Sequence, residues 1–324
     1  MSAEVNRRRL IALGAGAAAL AATTGVASAE QAAGTPDAAL VRSLPGDFRS
    51  GYANVNGVRL HYVAGGQGEP LILLPGWPQT WWQFHKIMPS LAARYRVIAV
   101  DLRGMGGSDK PQDGYDKKTM ARDIYELARR LGYERVNIAG HDIGAMVAFS
   151  FAANHPDATR KLTLMDVTHP DESLYQIPLL AQPDQPVHVW WFAFNQVRGL
   201  PEQLLAGRSE YLADWLFDHL LVNPAAIGDG DRAVYAGAYS YPDAIRAGNG
   251  WYQAFGQDIK DQKAYGKVTA PMLGLASETN YDYFSYVLPG KGTDVRVQKV
   301  SNSGHFIAEE RPQTVVAALT EFLG

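Results

Sequence analysis

The chain has 324 residues and 47% of them are hydrophobic, which is enough for one large α/β domain that carries an insertion. The net charge is −3 with acidic and basic residues interspersed, so the clustered basic face of a nucleic-acid-binding protein is excluded. The chain has no cysteine, which excludes disulfides, thiolate nucleophiles and cysteine–zinc sites.

The first 29 residues have the architecture of an export signal. Three arginines at 7–9 precede an apolar, Ala-rich run at 10–26, and residues 27–29 give the small-x-small pattern that signal peptidase cuts. The arginines resemble a twin-arginine signal, although Asn6 and Ala12 depart from the usual pattern. A membrane anchor is the alternative, but the run is short and ends at a cleavable site. We therefore expect a secreted protein with no stable membrane insertion after cleavage.

Residues 30–48 are rich in Ala, Pro and Gly, which predicts a flexible leader. Beyond it, apolar runs at 52–55 and 58–63 flank Asn56-Gly57, a strong hairpin signal. Further runs lie at 71–74, 97–100, 136–139, 162–165, 272–275 and 295–300, and helices are predicted at 82–95, 118–131, 145–154 and 312–323. This alternation predicts an α/β fold with a buried, mostly parallel sheet and helices on both faces.

One region breaks the alternation between strands and helices. From about Pro170 to Lys260 the pattern is helical without a buried strand, and it holds four of the seven tryptophans, Trp190, Trp191, Trp215 and Trp251. We interpret residues 171–259 as an all-helical cap domain inserted into a core of residues 49–170 and 260–324. Such folds place their functional groups at the carboxyl ends of parallel strands, where this insertion begins.

The most informative motif is G-H-D-I-G at residues 140–144, between a predicted strand and a predicted helix. This is the strand–turn–helix context of a nucleophile elbow, in which two glycines permit a sharp turn that exposes the central side chain. The central residue is usually Ser, but here it is Asp142, and no G-x-S-x-G occurs in the chain. The alternative is an ordinary tight turn in which Asp142 caps the helix.

Three further motifs follow predicted strands: L-P-G-W-P at 74–78, D-L-R-G-M-G-G-S at 101–108 and S-G-H-F at 303–306. With these four motifs in order, the sequence resembles the α/β-hydrolase superfamily, and more narrowly its epoxide hydrolase and dehalogenase branch. The resemblance covers nearly all of residues 50–324. It implies an α/β-hydrolase fold, with a mostly parallel eight-stranded sheet, helices on both faces and an all-helical cap insertion.

The resemblance also implies roles for individual residues. Asp142 would be the nucleophile, His305 the general base, and the backbone N–H groups of Trp77 and Ile143 the oxyanion hole. Of the eight histidines, only His305 follows a strand late enough to match the family's chain order. His141 lies beside the nucleophile, and on a strained turn it should point away from it. No H-E-x-x-H spacing occurs, so we expect no metal. We expect no cofactor either.

A third member must orient His305 and stabilise its charged form. Asp166 ends a predicted strand and is the first choice. The other family position follows the strand at 272–275, where Asn280 stands at the expected acid, so Glu278 and Asp282 remain alternatives.

An aspartate nucleophile points to a class of substrate. A serine that attacked a saturated carbon would form an ether that water cannot cleave. A carboxylate forms an ester instead, and water activated by His305 can attack its carbonyl next to the oxyanion hole. Asp142 therefore favours substitution at saturated carbon over the hydrolysis of esters or peptides.

The leaving group is an epoxide oxygen or a halide. Haloalkane dehalogenases commonly carry Trp after the nucleophile and fluoroacetate dehalogenases commonly carry Arg, whereas this chain has Ile143. Epoxide hydrolases typically place two proton donors in the cap. The segment W-Y-Q at 251–253 resembles one donor segment and V-W-W-F at 189–192 the other, which makes Tyr252 the ring-opening acid and Trp191 a hydrogen-bond donor to the epoxide oxygen.

The predicted substrate pocket consists of Trp190, Trp191, Tyr252 and Phe306, and its aromatic character suits a bulky or aromatic epoxide. These aromatic residues could alternatively form only the core of the cap. A dehalogenase is the first alternative function, because Trp191 could also hold a halide. A non-catalytic ligand-binding protein is the second, because Pro75 stands where this branch often has His. The expected partner is a small-molecule epoxide, and the sequence leaves open whether the chain forms a homodimer.

Overall fold

The computed structural model describes residues 36–181, 183 and 188–324. The predicted export signal at 1–29, and residues 30–35 of the predicted leader, lie outside the described residues. Among the helices of the described ranges, none combines the length and the apolar character that a membrane span requires.

Eight strands form one sheet. They are β1 (Arg49–Val55), β2 (Val58–Gly65), β3 (Glu69–Leu74), β4 (Tyr95–Val100), β5 (Val136–His141), β6 (Thr159–Met165), β7 (Met272–Ser277) and β8 (Val295–Val300). Their order is β1-β2-β4-β3-β5-β6-β7-β8, in which β2 is antiparallel to both neighbours and all other pairs are parallel. The predicted mostly parallel, eight-stranded α/β architecture is therefore confirmed.

The helices connect the strands and cover both faces of the sheet. Within the described residues they are α1 (Pro36–Ser43), α2 (Met88–Ala92), α3 (Lys117–Arg130), α4 (Ile143–Asn154), α5 (Trp191–Gln196), α6 (Leu200–Leu205), α7 (Ser209–Leu220), α8 (Asp229–Ala238), α9 (Pro242–Gln253), α10 (Phe255–Ala264), α11 (Tyr281–Val287), α12 (Ile307–Glu310) and α13 (Pro312–Leu323). The helices predicted at 118–131 and 145–154 differ from α3 and α4 by one or two residues at their ends, and the helix predicted at 312–323 matches α13.

Two hydrophobic cores flank the sheet because side chains alternate between its faces along each strand. Ile72 of β3 belongs to the core that contains Ile124 of α3 and most of α4. Leu73, the next residue, belongs to the core that contains Met88 of α2 and Leu319 of α13. The central strands are buried on both faces, which explains why they appear in the sequence as continuous apolar runs.

The described residues between β6 and β7 form helices α5 to α10 and no strand. The predicted boundary between residues 259 and 260 falls inside α10, because Asp258 and Ile259 are both buried and the helix continues to Ala264. The sequence has no Gly or Pro between α10's Gly256 and Gly266 that would mark an end of the helix at the predicted boundary.

The predicted flexible leader is wrong from residue 36 onwards. Residues 36–43 form α1, and both Leu44 and Phe48 are buried in the core. The carboxylate of Asp37 accepts a hydrogen bond of 2.8 Å from the indole Nε1 of Trp81. Composition indicated a linker, but a few apolar residues suffice to attach this segment to the sheet.

The single helix predicted at 82–95 is also wrong. The chain forms a short 3₁₀ helix at Trp81–Phe84, then α2 at Met88–Ala92, and Tyr95 already begins β4. Pro89 lies in the first turn of α2. A proline has no N–H to donate inside a helix, so a helix can begin at Pro89 but cannot run through it.

Candidate active site

Asp142 lies at the turn between β5 and α4, where the backbone adopts a sparsely populated conformation. Its φ is 50° and its ψ is −121°. A Cβ on Gly140 would lie 2.1 Å from the carbonyl oxygen of Gly144, and a Cβ on Gly144 would lie 2.1 Å from that of Leu74. Both glycines are therefore required for the turn. Asp142 makes no side-chain capping bond to α4, which excludes the helix-cap alternative.

The two backbone N–H groups predicted for the oxyanion hole lie beside Asp142. The Trp77 N–H donates to Asp142 Oδ1 at 2.9 Å. Ile143 is the first residue of α4, so its N–H has no acceptor within the helix. A Cβ on Gly76 would lie 2.4 Å from the Cβ of Asp142, so only glycine allows this close approach.

The imidazole of His305 lies between two carboxylates. Its Nε2 is 3.6 Å from Asp142 Oδ2, and its Nδ1 is 2.9 Å from Asp166 Oδ2. Burial alone would lower the pKa of His305, but hydrogen bonds and charges from Asp142 and Asp166 outweigh burial and raise the pKa to about 10. The imidazole is therefore protonated at neutral pH when both carboxylates are charged.

Asp166 is held in place by three donors at the end of β6. It is 2% exposed and has a φ of 58°. Its Oδ1 accepts from the Ser277 N–H at 2.7 Å, and its Oδ2 accepts from Asn280 Nδ2 at 2.9 Å as well as from His305. Asn280, which stands at the alternative acid position, therefore supports Asp166 instead of replacing it.

The two alternative acids lie elsewhere. Glu278 is exposed and its Oε2 accepts from the backbone N–H of Asn302 at 3.0 Å. Asp282 is exposed in the first turn of α11. The structure thus places Asp166, and neither alternative, against the Nδ1 of His305.

The carboxylate of Asp142 stays charged although the residue is buried, with only 8% of its surface exposed. Burial raises its pKa, but the hydrogen bond and charge of His305 and the Trp77 N–H outweigh burial, so that the pKa is lowered. The carboxylate is therefore available as a nucleophile at neutral pH.

His141 supports the loop of His305 from the strand that carries Asp142, a role that the sequence analysis missed. Its Nε2 lies 2.8 Å from the backbone carbonyl of His305 and must donate, because a carbonyl only accepts. Burial, followed by the charge of His305, lowers the pKa of His141 to about 4, so its ring is neutral. Its position as the last residue of β5, beside the elbow, was the available signal.

A cavity of about 510 Å³ adjoins Asp142 and His305. Its walls are mainly apolar, and their aromatic members are Trp77, Trp191, Phe192 and Tyr252. The volume suits a ligand of moderate size, and Asp142, His305 and Tyr252 are among its polar lining groups. Two of the four predicted pocket residues, Trp191 and Tyr252, therefore line the cavity.

The other two predicted pocket residues do not line the cavity. Trp190 packs behind Trp191, with its ring 5.2 Å from the ring of Trp215. Neighbouring residues of a helical turn point in different directions, so Trp190 and Trp191 cannot both face the cavity. Phe306 is 1% exposed and packs against Phe217, with ring centroids 5.0 Å apart, and is not among the residues that line the cavity.

Tyr252 and Trp191 bring polar groups of the helical insertion to the cavity. Tyr252 is 1% exposed, and its ring lies 5.5 Å from that of Trp77 in an edge-to-face arrangement. Burial and then the charge of Asp142 raise the pKa of Tyr252 well above its usual range, although the polar groups of Trp191 and Asn195 partly offset this effect. The phenol is therefore protonated at neutral pH.

Tyr239, which the sequence analysis also missed, holds the oxyanion turn from the side of the insertion. Its hydroxyl donates to the carbonyl of Gln79 at 2.8 Å, and the N–H of Gln79 closes the turn by donating to Gly76 at 2.9 Å. Burial, followed by the charges of Asp101 and Asp142, raises the pKa of Tyr239. The turn that carries the Trp77 N–H is thus fixed by both parts of the molecule.

The assembled groups are an ionised carboxylate, a histidine–carboxylate pair, two backbone donors and two donors from the insertion. Together they can form an ester at Asp142 and then hydrolyse it. Within residues 36–181, 183 and 188–324, no three His, Asp or Glu side chains group as a metal site would require.

Comparisons with known proteins agree with this geometry. A family model described as the alpha/beta hydrolase fold matches residues 69–312. The chain is 34% identical to a soluble epoxide hydrolase of Corynebacterium sp. (strain C12), over 83% of this chain and 95% of that protein. It is similar to the solved structure of the epoxide hydrolase CorEH without ligand, with a TM-score of 0.74 and 33% identity over 86% of this chain and 99% of that chain. It is also 38% identical to a fluoroacetate dehalogenase of Burkholderia sp., over 37% of this chain and 41% of that protein.

Proposed function

Because this chain belongs to the α/β-hydrolase fold family, in the branch of epoxide hydrolases and dehalogenases, it is a hydrolase, and we propose that it opens an epoxide to a vicinal diol through a covalent ester on Asp142. The observation that carries this proposal is the environment of the Asp142 carboxylate. One oxygen accepts the Trp77 N–H at 2.9 Å and the other lies 3.6 Å from His305 Nε2.

In the first step, a carboxylate oxygen of Asp142 attacks a saturated carbon of the epoxide. A new C–O bond forms, the C–O bond of the ring breaks, and the electron pair stays on the epoxide oxygen. Tyr252 gives this oxygen its proton, while the Trp191 N–H donates a hydrogen bond but cannot give up its proton. Both side chains line the cavity that Asp142 adjoins.

In the second step, water attacks the carbonyl carbon of the Asp142 ester and gives a proton to His305. The N–H groups of Trp77 and Ile143 stabilise the resulting oxyanion. The ester C–O bond then breaks, and the diol takes a proton from His305 as it leaves. The second proton of the water, left on the Asp142 carboxyl, passes to His305 and restores the carboxylate and the imidazolium of the resting site. Asp166 keeps the imidazole oriented and stabilises its charge throughout.

Formation of the ester prepares His305 for this second step. The pKa of about 10 in the resting site depends on two charged carboxylates, Asp142 and Asp166. The ester removes the charge of Asp142, so the pKa of His305 falls and its proton can pass through solvent to the Tyr252 phenolate left by the first step. The base is thereby activated only after the nucleophile has reacted.

The cavity supports a bulky, neutral substrate. A volume of about 510 Å³ with aromatic walls accommodates an aryl or alicyclic epoxide. The rings of Trp77 and Tyr252 would lie against its apolar body. This substrate class is an extension of the proposal and can be tested with a panel of epoxides.

A dehalogenase with the same nucleophile is the second candidate function. Trp191 favours it, because an indole N–H in the cavity wall can also hold a halide. Ile143 argues against a dehalogenase, because its side chain offers no hydrogen-bond donor to a halide at the position after the nucleophile. The epoxide assignment is preferred since Tyr252, a proton donor, also lines the cavity.

A single-turnover experiment in heavy-oxygen water tests the covalent step. With enzyme in excess over the epoxide, the diol of the single turnover should carry unlabelled oxygen from Asp142. With epoxide in excess, the diol of later turnovers should carry the label. Heavy oxygen in the first diol would contradict the ester mechanism. Release of halide from alkyl halides without epoxide opening would establish the dehalogenase instead. As the control, Asp142→Asn should bind the substrate but form no diol.

We further propose that residues 1–29 direct export by the twin-arginine route. Support comes only from the arginines at 7–9, the apolar run at 10–26 and the cleavage pattern at 27–29. Replacing Arg7 and Arg8 by lysine should leave the full-length chain in the cytoplasm, whereas the unchanged chain should appear outside it with the signal removed. Equal export of both proteins would contradict the proposal.

A further inference from the structure

A second constellation of serine, histidine and aspartate lies outside the active-site cavity. Ser50 Oγ is 2.8 Å from His61 Nε2, and His61 Nδ1 is 2.8 Å from Asp101 Oδ2. None of these three residues lines the cavity at Asp142. The distances are those of a nucleophile, a base and the acid that orients the base.

The hydrogen-bonding roles in this constellation follow from its chemistry. The carboxylate of Asp101 only accepts, so His61 Nδ1 carries a proton, and Nε2 of the neutral ring is left as an acceptor for the Ser50 hydroxyl. Asp101 is fixed further by the N–H groups of Trp81 and Gly107, both at 2.9 Å. His61 and Asp101 are fully buried, whereas Ser50 is exposed. The base is therefore protected from solvent and the nucleophile is accessible.

The position of Ser50 on β1 also supplies a backbone donor. β1 is an edge strand, and its two-residue hairpin closes at the pair Val55–Val58. In such a hairpin the closing pair is hydrogen-bonded, and hydrogen-bonded and non-hydrogen-bonded residue pairs alternate from there along the two strands. The pair Ser50–Val63 is the fifth pair after the closing pair, so it is not hydrogen-bonded. The N–H of Ser50 consequently points away from β2 to the open edge, next to its own hydroxyl.

We propose that Ser50 is a second nucleophile, which accepts an acyl or dialkylphosphoryl group from small activated donors. The Ser50 oxygen attacks the carbonyl carbon or the phosphorus, and its proton moves to His61 Nε2. An O–C or O–P bond forms, the bond to the leaving group breaks, and the leaving group departs with the electron pair. The N–H of Ser50 stabilises the charge that develops on the attacked group. This site does not depend on the function proposed for Asp142.

The reaction should depend on the protonation of His61. Burial lowers the pKa of His61, but the hydrogen bond and charge of Asp101 and the charge of Asp37 raise it overall, with a small opposite effect from Arg59. Only the neutral imidazole can take the proton of Ser50. The rate of modification should therefore rise with pH, with a midpoint above the usual histidine pKa of about 6.5.

Diisopropyl fluorophosphate, with peptide mapping by mass spectrometry, tests this proposal on the full chain. Two exposed serines provide internal controls without a histidine partner: Ser43 donates to the Leu40 carbonyl at 2.7 Å, and Ser173 donates to Asp171 at 2.6 Å. General-base assistance should make Ser50 react about 100-fold faster than either control.

Two variants separate this site from the active site. Ser50→Ala should lose the adduct and keep epoxide hydrolysis, since Ser50 touches none of the groups at Asp142. Asp142→Asn should lose hydrolysis and keep the adduct. Modification of Ser50 no faster than Ser43 and Ser173, or at a rate independent of pH, would show that the contacts of Ser50, His61 and Asp101 are structural only.

Discussion

At the scale of single residues, the proton donors of the insertion provide the most direct test of the proposed chemistry. Tyr252→Phe removes the only proposed source of a proton, so formation of the ester should slow by about 100-fold or more. Trp191→Phe removes one hydrogen bond and should slow the same step less. Rapid-quench measurement of ester formation checks both variants, and an unchanged rate in both would contradict their assignment.

The raised pKa of His305 predicts how stability depends on pH. The folded pKa of about 10 lies above the usual unfolded value of about 6.5. The stabilisation from this proton is therefore complete below pH 6.5 and is lost as the pH rises towards 10. The temperature at the midpoint of thermal unfolding should decrease as the pH is raised from 7 to 10 in the natural chain. This decrease should be smaller in His305→Gln. Parallel curves for the two proteins would contradict the assigned pKa.

The sequence predicted the grouping of the elbow, acid and histidine residues better than the walls of the cavity. Asp142, Asp166 and His305 follow strands at fixed points of the fold, so their convergence follows from the order of the motifs. Trp190 and Phe306 were wrongly predicted to line the pocket. Their sequence neighbours Trp191 and His305 face the cavity, and adjacent side chains point in different directions. That direction depends on packing, which a single sequence does not reveal.

At the scale of elements, the turn around Asp142 should tolerate no side chain at its glycines. Gly144→Ala would place a Cβ 2.1 Å from a backbone oxygen of β3, which cannot move away without disturbing the sheet. We expect a loss of about 3 kcal/mol or more in the free energy of unfolding. Urea unfolding with an unchanged slope would give this value directly.

Gly237→Ala in α8 is the matched control for this substitution. A Cβ at Gly237 meets nothing within 4 Å. Alanine favours helix over glycine, so this change should stabilise the protein by about 0.5–1 kcal/mol. An equal loss in both variants would show that the crowding at β3 is not the cause.

Elements with strong periodic signals were predictable, and those that depend on tertiary contacts were not. The eight strands appeared as apolar runs because most of them are buried on both faces. α1 was not recognised, since its attachment rests on a few contacts such as that between Asp37 and Trp81. The boundary of the insertion was misplaced because α10 runs through it without a local signal.

At the scale of the whole molecule, a buried ion pair joins the insertion to the core. Lys117 of α3 and Asp258 of α10 are both fully buried, with Nζ and Oδ2 2.8 Å apart. Asp258 also accepts the backbone N–H of Lys117 at 2.7 Å. Because Lys117 and Asp258 are far apart in the chain, this ion pair should stabilise the packing of the insertion against the core.

Asp258→Ala should therefore cost about 3–5 kcal/mol in the free energy of unfolding, because it leaves the ammonium of Lys117 buried without its partner. Glu172→Ala is the control, since it breaks the exposed pair of Glu172 and Lys263 and should change stability little. Urea unfolding of both variants gives the comparison. Equal effects would mean that burial does not determine the contribution of the pair.

The two carboxylates at His305 have a further consequence, which concerns the selection of ligands by charge. Asp142 and Asp166 flank a single imidazolium, so the resting site carries a net charge of −1, and the described residues that line the cavity include no lysine or arginine. A haloacid would have to bring its own carboxylate into this weakly screened field, whereas an epoxide carries no charge. The resting enzyme should thus reject anions irrespective of their shape, and carboxylate analogues of the substrate should be poor inhibitors beside the corresponding amides.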